Sequence, residues 1–418
     1  QEAQVVDAGA LGVYVFFEGF FYSLAGIPED GRPLSETFQN RLKISSSFQE
    51  KTESGYCVDF VVKAPRYSPD EIKIITSVQE EVIIIPEGDY YKIHLHTNDK
   101  EKVRDQINGL GNVINWEDDN LASQVTQFMQ SKDGQTFHIM TDAAGSLTHQ
   151  DAKKYNFTLL NSYLTVGEKC MPETYYHPEE LYKAMVKGIK VSTSQASVYE
   201  RHQFYQSVLE RFEKVLYLCV GSVFTGNYQI ALQWMKEHNK QDSFLIIDTG
   251  AASGRLGTIA LLTARYLVET NDMKKTVVFA RKAVQECEEY VFLDKLQYLA
   301  EGGRLSKTSA RFGDMLHMKP VISPLPEGAK KVGVVRNQED QLKFALKKLD
   351  ASIKDDSRAF IMLEYSDNKN WVEGTVKKEL EELYADAEII LQPLSLTSGA
   401  HMGPGTWGVA FLPDRTTL

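Results

Sequence analysis

Apolar positions along the chain follow two rhythms. In the first part, YCVDFVVK (Tyr56–Lys63) has strand composition, and SVQEEVIIIPEGDYYKIHLHTND holds two β-rich runs around Pro86-Glu87-Gly88. DKEKVRDQINGL has helical spacing and ends at Gly109, and the strand-like NVINWE follows. This predicts a small α+β domain over residues 1–125, followed by a polar connector with a linker at 126–133.

From Thr136 the grammar changes. TFHIMTDAAGSLT is a short apolar strand that ends in Asp142 and small residues. KVLYLCVGSVFTGNYQIALQWMKEH and SFLIIDTGAASGRLGTIALLTARYLVE each read as strand, small-residue loop and helix. Apolar strands without alternation, each followed by a helix, predict a parallel sheet covered on both faces. Further strands are expected at KKVGVV, RAFIMLEY, AEIILQPLS and TWGVAFL, which makes residues 134–418 an α/β unit of two lobes. Ligands of such sheets collect at the carboxyl ends of the strands, where the loops Ser222–Gly226 and Thr249–Gly254 fall.

A length of 418 residues fits two or three domains, and 43% hydrophobic with 25% charged residues is ordinary globular composition. The net charge of -11 argues against a general nucleic-acid binder and leaves at most transient contact with an anionic membrane. No apolar run reaches the roughly 18 residues of a bilayer span. The start has neither Met nor a basic region, so it does not read as a signal peptide and suggests a piece of a longer chain. Cys57, Cys170, Cys219 and Cys287 are too scattered for a disulfide framework, which fits a cytoplasmic setting.

Three constellations carry chemistry. His94 and His96 stand two apart in a predicted strand, so both imidazoles share a face, and Cys57 on another strand can add a thiolate. The bland reading is a polar sheet face with two ordinary histidines. TSQAS (Thr193–Ser197) caps a helix starting near Val198, and hydroxyls at a helix start also suit an anion. In AHMGPGTWGVAF, His401 stands against a Gly-Pro-Gly turn, as a core histidine, a metal ligand or a group aimed at a ligand. The small-residue loops lack GK[ST] and G-x-G-x-x-G, which argues against a nucleotide site in this half. Arg304, Lys307, Arg311 and Lys319 make either a solvated basic loop or a docking surface.

In sequence order, FHIMTDAAGSLT, VSTSQASVYE, VGSVFTGNYQIA, IIDTGAASGRLG, LAEGGRLS, LHMKPVI and GAHMGPGTWGVAF resemble the landmarks of the DegV family of bacterial fatty-acid-binding proteins. VVDAGALGVYVFFEGF, GYCVDFVV and KIHLHTND resemble the junction and the zinc-bearing landmarks of the middle domain of bacterial fatty acid kinase. The resemblance implies a two-lobed DegV-like unit with an acyl chain buried between the lobes. It implies a fatty-acid carboxylate held by Ser194 and His401, with Thr193 beside them and Ser162 or Thr165 contributing. Burying a ~16-carbon chain contributes on the order of 12 kcal/mol before costs, and the carboxylate must then find donors. It further implies a Zn2+ on Cys57, His94 and His96, and Arg304 and Arg336 as basic positions facing a kinase domain. The partner implied is a dihydroxyacetone-kinase-like ATP domain, in cis or in trans, that phosphorylates the presented carboxylate. No complete catalytic centre is expected in this segment, and a homodimer stays open. The chain departs from the family at Ala196, at TGNY and at Ala143, which removes a hydroxyl from the pocket region. Two other readings remain: a zinc hydrolase with Asp59 or Asp99 as base, and a non-catalytic assembly scaffold.

Overall fold

A computed structural model describes residues 8–25, 55–120, 136–295, 297–302, 318–354 and 357–414. The chain divides into two compact units, Gln1–Asp133 and Gly134–Leu418.

In the first unit, strands β1 (Tyr56–Lys63), β2 (Glu80–Glu87), β3 (Tyr90–Thr97) and β4 (Asn112–Asn120) form one antiparallel sheet in the order β2-β3-β1-β4. Pro86 and Glu87, which read as a break, are taken into β2, and the chain reverses at Gly88 with φ 59°. The sheet has two unlike faces. Val58, Phe60, Val62, Ile93 and Leu95 are buried under the helices Pro69–Thr76 and Lys100–Asn108 through Ile72, Val103 and Ile107. Period-2 alternation then sends Cys57, Asp59, His94 and His96 to the opposite, half-buried face. The helix Ala8–Ala25 exposes Val13, Phe16 and Leu24. Among the described residues no helix is long and apolar enough to cross a membrane.

The second unit opens with a parallel sheet of β5 (Phe137–Asp142), β6 (Phe157–Leu160), β10 (Lys214–Cys219) and β11 (Phe244–Asp248), ordered β11-β10-β5-β6. Between β6 and β10 the chain builds a small antiparallel sheet of β7 (Ser162–Val166), β8 (Lys169–Pro172) and β9 (Val191–Gln195), ordered β8-β7-β9. The second lobe carries β12 (Glu288–Phe292), β13 (Lys319–Leu325), β14 (Gly328–Val335), β15 (Phe360–Tyr365), β16 (Glu388–Pro393) and β17 (Trp407–Leu412). Their order is β14-β13-β12-β17-β15-β16, and only β15 and β16 run parallel. The parallel arrangement expected from sequence therefore belongs to the first sheet. The second is mixed: β17 runs antiparallel to both of its neighbours, β12 and β15, and β13 returns directly into β14 across Pro326-Glu327, a turn too short for a crossover.

Helix Ser253–Thr270 runs through the core that joins the sheets, with Leu256, Ile259 and Ala260 packed among residues of β5, β10, β15 and β17. Its first turn is fixed by Glu289, which accepts from Ser253 Oγ at 2.6 Å and from the main-chain N–H of Arg255 at 3.0 Å. Asp142, at the end of β5, is another fully buried anchor. It accepts from Arg201 Nη1 at 3.1 Å, Asn227 Nδ2 at 3.0 Å and the Val220 N–H at 2.8 Å, so its charge is matched on several sides.

Candidate functional sites

On the first unit's polar sheet face, Cys57 pairs in register with His96, and Asp59 with His94. One donor atom from each of Cys57, His94 and His96 lies within 4.8 Å of the others. The sequence expectation that these three converge is met by cross-strand pairing, since directly opposed residues share a face. His94 Nδ1 lies 3.1 Å from Asp59 Oδ2, and that contact leaves Nε2 as the nitrogen for a cation. Partial burial, and then the Asp59 carboxylate, push the Cys57 thiol up. A bound cation would reverse that shift, and a thiolate with two imidazoles is a donor set suited to zinc.

In the second unit the wall of a cavity of about 590 Å³ includes Met185, Ile189, Lys190, Thr193, Tyr298 and His401. Thr193 Oγ1 and His401 Nε2 are 2.9 Å apart there. Thr193 belongs to β9, while His401 sits in the last turn of helix Leu396–Met402. The register of β7 and β9 sorts the hydroxyls suggested by sequence. Ser162 opposes Gln195 and Leu164 opposes Thr193, whereas Tyr163 opposes Ser194 and Thr165 opposes Ser192. Leu164 packs in one cluster with Leu396 and Ala400 of the histidine's helix, so Thr193 and Ser162 share the face turned to His401. Ser194 and Thr165 lie on the other face, and Ser194 is exposed.

Two glycines shape the approach to this histidine. A Cβ on Gly302 would stand 2.2 Å from His401 Nδ1, so only glycine lets the ring lie where it does. Gly403, with φ 84°, brings the backbone against the Tyr298 ring, where a Cβ would come within 2.1 Å. Sequence reasoning named neither as a site residue, although EGGR and GPG contained them. Lys190 on the cavity wall was also missed; its only signal was its place in the loop before β9.

Ala143, read from sequence as a lost pocket hydroxyl, is buried in the core and is not among the cavity-lining residues. Arg336 is exposed and its main-chain N–H donates to Asp340 Oδ2 at 3.3 Å. Lys319 pairs with Asp294. Arg304 and the linker 126–133 lie outside the described residues.

The second unit is a two-lobed α/β unit whose cavity combines apolar side chains with a paired hydroxyl and imidazole. Residues 136–414 match the family described as uncharacterised protein, DegV family, and the chain belongs to that family. Residues 53–128 match the FakA-like middle domain of fatty acid kinase. Among relatives, the DegV domain-containing protein YteA of Lactococcus lactis is 28% identical over 280 residues, covering 65% of this chain and 96% of its own. The structure described as fatty acid binding of a DegV family protein from Thermus thermophilus superposes with TM-score 0.61 at 21% identity, over 66% of this chain and 99% of its own. A stearic acid-binding protein from Eubacterium ventriosum gives TM-score 0.60 at 22% identity, over 68% of this chain and 100% of its own.

Proposed function

We propose that the second unit binds a long-chain fatty acid, its chain in the cavity and its carboxylate on Thr193 and His401. The observation that carries this is the 2.9 Å contact between Thr193 Oγ1 and His401 Nε2 on the wall of a cavity of about 590 Å³. That volume suits a small-molecule ligand, and a buried carboxylate needs donors of this kind. Solved relatives described as fatty-acid-binding support the ligand class. The resemblance implies Ser194 as the headgroup donor, but the strand register favours its neighbour Thr193, and Ser162 shares Thr193's face.

The match of residues 53–128 to a fatty acid kinase middle domain supports a role for the bound acid in a phosphorylation system. In this reading a dihydroxyacetone-kinase-like ATP domain phosphorylates the presented carboxylate in the cytoplasm, and Arg304 and Arg336 face that domain. The Cys57, His94 and His96 set holds a Zn2+ that organises the first unit. Titration of the chain with palmitic acid tests the reading, with wild type compared with Thr193→Val and His401→Ala. Saturable binding that either substitution weakens supports it, and a wild type that takes up no fatty acid contradicts it.

A further inference from the structure

Glu173 belongs to a short 3₁₀ turn directly after β8 and is fully buried, yet nothing in a fatty-acid site calls for a second carboxylate. Its Oε2 accepts the main-chain N–H of Thr397 at 2.9 Å, and its chain neighbour Pro172 pairs with Tyr163 of β7, the residue next to Ser162. Thr397 lies in the first turn of the helix whose last turn carries His401. Ser162 lies on β7, opposite Gln195, two positions along β9 from Thr193.

The two spacings match. Thr397 and His401 are four residues apart on one helix face, about 6 Å at 1.5 Å per residue. Gln195 and Thr193 are two residues apart on one strand face, about 6.6 Å at 3.3 Å per residue. Helix and small sheet are thus joined by two parallel rungs: Glu173, which follows directly on β8, against Thr397, and Thr193 against His401. A second buried side chain grips the same helix end, since Ser146 Oγ accepts from the Ser395 N–H at 2.9 Å while donating to Glu364.

We propose that Glu173 is a positioning residue for the ligand headgroup, a rigid rung that sets how closely His401 stands to Thr193. It acts on the carboxylate site through the helix and does not line the cavity. Burial pushes its own carboxyl up to about 7, against the pull of its Thr397 donor. An apolar residue would sit there at lower cost, so the carboxylate is kept for the bond it fixes.

The inference rests on the fatty-acid reading, and the test separates the two. Wild type, Glu173→Gln, Glu173→Ala and Thr397→Pro are titrated with palmitic acid and with hexadecanol, which has the same chain and no carboxylate. The ring nitrogens of His401 are followed by ¹⁵N NMR in the same proteins without ligand. Thr397→Pro removes the donor from the helix side at a first-turn position where proline is tolerated. The expected result is that Glu173→Ala and Thr397→Pro lose about 10-fold in affinity for the acid while hexadecanol binding holds. The His401 resonances move in both, and Glu173→Gln, which keeps an acceptor, restores them. Equal losses for acid and alcohol, or a His401 spectrum unchanged in Glu173→Ala, would overturn the proposal. A wild type that binds neither compound overturns the fatty-acid reading, and the His401 spectra still judge the rung.

Discussion

The two candidate sites are built by opposite routes. Cys57, His94 and His96 meet inside one sheet, where the i, i+2 rule and direct cross-strand pairing put all three on one face. Thr193 and His401 meet because a helix from near the end of the chain docks on a strand more than 200 residues earlier. A site made by strand pairing depends on register alone. A site made by docking depends on everything that seats the helix, so its residues are joined by supports such as Glu173 and Gly302 that have no ligand chemistry of their own.

The sharpest way to break this contrast is to strip the sheet site. Cys57→Ala or His96→Ala should weaken Zn2+ binding by at least about 100-fold in a chelator competition, with palmitate affinity unchanged. Asp59→Asn, which only loosens His94, should cost about 10-fold. Loss of palmitate binding in Cys57→Ala would show that the sites are not independent.

Removing one polar partner in the docked site should cost roughly 10- to 100-fold in acid affinity, the worth of a hydrogen bond to a charged group. Thr193→Val and His401→Ala should both show it by calorimetry, and Ser194→Ala should not. Equal loss in Ser194→Ala would move the headgroup to the other face of β9. Gly302→Ala, whose new methyl would have to displace the His401 ring, should approach the His401→Ala loss. Gly374→Ala, with open space around its Cβ position, is the matched control.

The smallest effects are in the pH dependence of stability. Burial holds the His138 ring down at about 3, so an unfolded chain takes up a proton near pH 6.5 that the folded one refuses. Its contribution is present above pH 6.5 and is lost as pH falls towards 3. Glu173 works the other way. With its carboxyl raised to about 7, its contribution is present below about pH 4.5 and is lost as pH rises through 7. Tm measured from pH 4 to 8 should show Glu173→Gln gaining on wild type as pH rises, and His138→Phe gaining as it falls. Parallel Tm curves for all three proteins would show that neither group titrates as its burial implies.

Much of the fold was legible because local rules decide it. YCVDFVVK is β1 from its first residue to its last, and the helix ending at Gly109 starts on an Asp99 cap. Ser197 caps the helix that begins at Val198, as TSQAS suggested. The mixed second sheet was not legible, because strand direction follows from connections such as Pro326-Glu327 and from tertiary pairing, which apolar runs do not encode. His401 stood out by its Gly-Pro-Gly context, yet its partner did not. Choosing between Thr193 and Ser194 needs the face of β9, which its pairing with β7 decides. Glu173 gave no signal at all, since the glutamate of PETY reads as surface until the helix that covers it is in place.

The central claim is that the docked site holds a fatty acid, and it is tested most directly by what the protein carries. Native purification, denaturing extraction and lipid mass spectrometry should recover about one fatty acid per wild-type chain. A Thr193→Val/His401→Ala double variant should have lost it. An empty wild type that also fails to take up added palmitate would contradict the account.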